Sequence, residues 1–87
     1  MPFCVTDIQP TPNPNAVKFV LDRRIVEQST SFLKADDAAG YPVAEKLFLI
    51  PGVSSLLFLG DFITVNKQPE AAWSEITSRV KKVLTEA

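Results

Sequence analysis

The sequence predicts an α+β fold, a two-layer sandwich in which a four-stranded, mainly antiparallel sheet carries two helices on one face in the order ββαββα. Three observations carry this. Short alternating apolar runs at 3–8 and 16–21 flank a proline-rich break, a glycine-led two-residue turn separates two apolar runs at 54–67, and two proline-opened segments hold apolar residues at helical spacing.

Phe3 to Ile8 alternates loosely, with Phe3, Val5 and Asp7 on one side and Cys4, Thr6 and Ile8 on the other, so a short strand enters the break. The break itself, Thr11, Pro12, Asn13, Pro14 and Asn15, can be neither helix nor central strand, because each proline lacks an N–H and pushes its predecessor toward extended backbone. It must be a shaped loop. Asn13 and Asn15 can bond neighbouring backbone groups in Asx-type turns. Two readings stay open for it, a rigid connector between strands and a surface presented to a partner.

Ala16 to Leu21 alternates cleanly, with Val17, Phe19 and Leu21 facing one way. Asp22 to Tyr41 has no decisive period: Arg23-Arg24-Ile25-Val26 and Ser31-Phe32-Leu33 fit short edge segments, whereas Gln28 to Ser31 and Asp36 to Gly40 read as loop. Pro42 suits a first helical turn, and Val43, Leu47 and Ile50 make a stripe that Pro51-Gly52 ends. Gly60-Asp61 then reads as a type II′ hairpin turn, pairing Leu59 with Phe62, Phe58 with Ile63, Leu57 with Thr64 and Leu56 with Val65. The second helix is expected to open at Pro69-Glu70 and to bury Ala72, Trp73, Ile76, Val80, Val83 and Leu84.

Both faces of that hairpin are apolar. Leu56, Phe58, Ile63 and Val65 suit the core, which leaves Leu57, Leu59 and Phe62 on the face that the helices do not cover. Either the stretch from Ile25 to Leu33 folds over these three or they form an interface patch.

Composition narrows the function. The chain, 87 residues with nine basic and ten acidic side chains, is expected to form a single domain over 1–87 with no field favouring nucleic acid. No apolar run approaches the ~20 residues of a membrane span, and the N-terminal stretch lacks a secretory pattern, so a cytoplasmic, non-membrane protein is expected. Histidine is absent, which removes the commonest general base and neutral metal ligand at once. Ser29, Thr30 and Ser31 therefore have no base to activate them, and adjacent Asp36 and Asp37 read as a loop or helix lead-in. Cys4 is the single cysteine and reads first as a small apolar strand residue, with a bridged metal site between two chains as the remote alternative. No catalytic residue and no bound cofactor is expected, so the chain reads as a binding module and not an enzyme.

Three blocks in order, "TPNPNAVKF", "YPVAEKLFLIPGV" and "GDFITVNK", followed by a short Trp-containing helix, resemble the N-terminal domain of the Nfu/NifU-type iron–sulfur scaffold proteins from about Thr11 to Val83. The sequence departs from the pattern at Tyr41, where a serine commonly precedes the proline segment, and tyrosine is a poor N-cap. The resemblance implies participation in assembling iron–sulfur clusters or passing them to recipient proteins. In that family a separate domain with a Cys-x-x-Cys pair holds the cluster, so cluster binding does not carry over to these residues. What carries over is the fold and a contact role on Thr11 to Asn15 and on Gly60 to Lys67. The expectation is thus a stand-alone adaptor that recognises iron–sulfur assembly or recipient proteins through Thr11 to Asn15 and through Leu57, Leu59 and Phe62. The alternatives are a self-associating homodimer and a dimeric iron or cluster carrier using Cys4.

Overall fold

A computed structural model describes residues 3–86. Five strands, β1 (Val5–Pro10), β2 (Ala16–Leu21), β3 (Thr30–Phe32), β4 (Val53–Leu59) and β5 (Phe62–Lys67), join two helices, α1 (Pro42–Phe48) and α2 (Trp73–Glu86). The sheet order is β1-β2-β5-β4-β3 and every pairing is antiparallel. The α+β two-layer fold is therefore the one expected, with five strands in place of four.

The fifth strand is β3, which extends the sheet edge by pairing Thr30, Ser31 and Phe32 with Phe58, Leu57 and Leu56. Three residues, of which one is buried, carry too little alternation to be read as a strand from sequence. Asp36 and Asp37 lie in a 3₁₀ turn, Ala35–Ala38, where the Asp37 carboxylate accepts the Leu33 N–H at 3.0 Å.

In β1 the expected parity is also corrected. The strand runs from Val5 to Pro10, not Phe3 to Ile8, and a bulge between Val5 and Asp7 flips the alternation after Val5. Val5 and Ile8 consequently both pack toward the core, while Asp7 pairs with Val20 on the opposite face. Cys4 sits just outside the strand and is exposed, which overturns its reading as a buried small residue.

The hairpin has the expected register at all four pairs. Gly60 has φ +57° and no non-glycine residue among the described ones has positive φ, so Asp61 is excluded from a type I′ turn and the II′ reading holds. Sheet residues Phe19, Leu21, Phe32, Leu56, Phe58, Ile63 and Val65 meet helical Ala44, Leu47, Ile76, Val80 and Leu84 in one core. Each is nearly or fully removed from water, and burying a large aliphatic or aromatic side chain is worth roughly 1.5–3 kcal/mol.

The second helix starts at Trp73, four residues later than expected. Pro69 and Glu70 instead form a turn closed by the Ala71 N–H on the Gln68 carbonyl at 3.0 Å. Proline's fixed φ suits the second position of a turn as well as a first helical turn, so the sequence alone does not separate the two. Packing decides: Gly52, at φ +96°, lies so close to Ala71 that an added Cβ would come within 2.6 Å of the Ala71 Cβ, and its carbonyl accepts the Gln68 N–H at 2.7 Å.

Candidate functional site

The Thr11 to Asn15 loop joins β1 to β2, as its prolines require, and its polar atoms are spent on holding its own shape. Thr11 Oγ1 accepts the Asn13 N–H at 3.2 Å and lies 2.9 Å from the carbonyls of both Asn13 and Ala16, which share its single proton. The Asn13 side chain accepts the Asn15 N–H at 2.9 Å, the anticipated Asx turn, and the Ala16 N–H closes a turn on the Asn13 carbonyl at 3.0 Å.

Two groups remote in sequence then anchor the loop. Trp73 at the start of α2 donates its indole N–H to the Pro14 carbonyl at 3.0 Å. Lys67 at the end of β5 donates its backbone N–H to the Asn15 carbonyl at 2.8 Å and its ammonium to the Asn15 side-chain oxygen at 3.0 Å. That ammonium also reaches the carbonyls of Gln68 and Pro69 and lies 5.9 Å from the Trp73 ring centroid. Sequence reasoning missed Lys67 and Trp73 as loop anchors. The one available signal was that a tryptophan at the edge of a core needs a partner for its N–H. Pro12, Asn13 and Pro14 remain exposed on the outside of this pinned loop.

The sheet face opposite the helices carries the other expected residues. Across it, Val20, Phe62 and Leu59 form one row, and Lys18, Thr64, Leu57 and Ser31 form the next. The segment from Ile25 to Leu33 does not fold over them. It runs along the sheet edge, with the Ile25 N–H on the Gly60 carbonyl at 2.8 Å, and Ile25 and Val26 pack toward the core. Leu59 is 40% exposed, and Leu57 and Phe62 are half-buried. The face is not bare, because the Lys18 ammonium stands 4.0 Å from the centre of the Phe62 ring. Loop and face are both built on β2 and β5: Asn15 precedes β2, whose Lys18 and Val20 pair with Thr64 and Phe62.

The donor set does not fit an iron–sulfur cluster. One exposed thiol, no histidine, and no group of three or more Cys, Asp or Glu side chains among the described residues fall short of the four ligands such a cluster takes. Cys4 instead closes the β1–β2 ladder. Its N–H donates to Asp22 Oδ1 at 3.1 Å, and its carbonyl accepts the Asp22 N–H at 2.9 Å. The hydrogen bond from Cys4, helped by neighbouring Arg23, holds the Asp22 carboxyl below its ordinary pKa. Among the described residues no helix is long and apolar enough to cross a membrane.

Residues 5–87 match the family described as "Scaffold protein Nfu/NifU N terminal". A NifU-like protein of Schizosaccharomyces pombe is 38% identical over 79 residues, covering 87% of this chain and 30% of that protein. The human mitochondrial NFU1 iron-sulfur cluster scaffold homolog is 44% identical over 63 residues, 71% of this chain and 25% of that protein. This chain thus spans less than a third of the length of those relatives. Among solved structures, a NifU-like protein from Saccharomyces cerevisiae superposes with a TM-score of 0.81 at 29% identity, covering 95% of this chain and 77% of that one. Protein SAV1430 from Staphylococcus aureus superposes at 0.76 with 30% identity, covering 92% and 96%.

Proposed function

The chain belongs to the Nfu/NifU N-terminal family, and on that premise we propose that residues 1–87 form a single, non-enzymatic module that recognises protein partners in iron–sulfur cluster assembly or transfer. The cluster is cargo held by another domain or protein, because the donors present here do not suffice for one. The observation that carries the reading is the pinned loop. Trp73 and Lys67 hold its backbone from behind while Pro12, Asn13 and Pro14 face outward, so a partner meets a surface whose ordering entropy is already spent. Leu57, Leu59 and Phe62 on the adjoining sheet face supply apolar area for the same contact. Named relatives that are iron–sulfur scaffolds support the process assigned. The proposal places the module in the cytoplasm, where the single exposed thiol of Cys4 suits reducing conditions.

The test has two parts. Anaerobic reconstitution with iron and sulfide is expected to leave the wild type and Cys4→Ser equally without a stable visible chromophore. A chromophore that Cys4→Ser abolishes would make the thiolate a ligand and overturn the reading. In titrations against a cluster-loaded Cys-x-x-Cys domain of the family, Phe62→Asp is expected to weaken binding at least tenfold while the circular dichroism stays native. Absence of wild-type binding to both such a carrier and recipient apoproteins sinks the adaptor role. Because the sheet face is uncovered, self-association through it is the second reading, and sedimentation that finds a dimer lost in Phe62→Asp would favour it.

A further inference from the structure

On the helical layer, away from the open sheet face, α1 and α2 border a cleft of about 240 Å³. Ile50 lies buried there, Leu49 stands beside it, and Lys46, Arg79 and Lys82 line it with Glu86. Leu49 is 80% exposed, more than any other large apolar side chain among the described residues. Three cations against one carboxylate leave a local excess of two positive charges on a chain whose net charge is -1. None of the three is in an ion pair, since the pairs among the described residues are Arg23 with Asp22 and Arg24 with Glu27.

Folding does not account for this arrangement. A cation in the last turn of a helix offsets its dipole, which covers Lys46 but neither Arg79 nor Lys82, and an exposed leucine set among them gains almost no burial. We propose that this cleft docks an acidic peptide segment of a partner protein, with an apolar side chain packing on Leu49 and flanking carboxylates meeting Lys46, Arg79 and Lys82. Charge complementarity selects the occupant. A membrane surface would need a broad apolar face, and here a single leucine projects beside a concave cleft. Nucleic acid would need a basic stripe with aromatic side chains, and no aromatic lines the cleft. The cleft shares no residue with the proposed loop-and-sheet contact, so each can fail without the other.

The probe is a short synthetic peptide with a central leucine flanked on each side by two glutamates, titrated into the isotope-labelled chain and followed by amide NMR shifts. Shifts are expected to concentrate at Lys46 to Ile50 and Arg79 to Glu86, and to shrink as salt rises. Arg79→Glu combined with Lys82→Glu should weaken binding at least tenfold, and Leu49→Ser three- to tenfold. All three side chains are exposed, so unchanged melting temperatures are expected to show that folding is intact. The proposal is overturned if the glutamate peptide produces no localised shifts, or if a glutamine-for-glutamate peptide binds equally well. It is equally overturned if phosphatidylserine vesicles produce these shifts and the peptide does not.

Discussion

Two connections between antiparallel strands show how differently a turn can be held. The Gly60-Asp61 turn takes its shape from its own residues, since glycine adopts the positive φ and the flanking strands pair in register, although the Leu21 and Ile25 N–H groups also donate to its carbonyls. The Thr11 to Asn15 loop fills its inner hydrogen bonds locally but takes its position from Lys67 and Trp73, more than 50 residues away. Short loops with a glycine are local solutions, whereas a proline-rich loop that has lost backbone donors borrows donors from tertiary neighbours.

Trp73→Ala should break this contrast most severely, because it removes both the ring packed against the core and the indole bond to Pro14. A loss of about 2–3 kcal/mol is expected by denaturant melting, below the usual range for a fully buried aromatic since Trp73 is only partly so. Trp73→Phe keeps most of the ring and should cost only about 1 kcal/mol, with the change in amide protection confined to residues 11–16. Equal losses for the two variants would show that the indole bond and not the packing carries the energy.

Gly60→Ala tests the local solution. Its φ of +57° is one that alanine adopts at a cost of roughly 1–2 kcal/mol, and an added Cβ meets nothing within 4 Å, so the penalty should be purely conformational. Replacing Gly60 with Asn, which tolerates that region better, should recover part of it. A loss of protection in the proline loop of either variant would mean that the two connections are coupled.

The smallest expected effect is at the other end of the β1–β2 pair, where Cys4 and Asp22 close the ladder. Hydrogen bonding there lowers the Asp22 pKa in the folded state, so its stabilisation is present above the ordinary carboxylate value of about 3.9 and is lost as pH falls through the folded value. Asp22→Asn should therefore melt slightly below the wild type at neutral pH, and the two curves should converge below about pH 3.9. Convergence on raising the pH instead would reverse the assignment.

Legibility followed the same division. The hairpin register could be read residue by residue because Gly60-Asp61 sets it and the apolar pattern on both strands agrees. The α1 stripe was legible for similar local reasons, although the helix ends at Phe48 and leaves Ile50 of the expected stripe beyond it, ahead of Pro51-Gly52. The strand β3 was not, since Ser31 and Thr30 carry no apolar signal and only Phe32 is buried. The bulge at Thr6 was hidden as well, because alternation in a strand presumes one residue per step and the bulge inserts an extra one. At the candidate site, the residues of the proline loop were legible as a shaped loop, but its two anchors lie too far along the chain for turn chemistry to name them.

What the sequence determined by itself was the set of local geometries: which stretches alternate, where prolines forbid a ladder, where glycine permits positive φ, and that donors for a cluster are too few. These depend on residues within a few positions of one another. Tertiary structure decided where α2 begins, that the stretch after Asp22 extends the sheet edge and leaves Leu57, Leu59 and Phe62 uncovered, and that Lys67 and Trp73 pin the loop. Each of those outcomes turns on the packing of groups distant in sequence, such as Gly52 against Ala71, which no local pattern encodes.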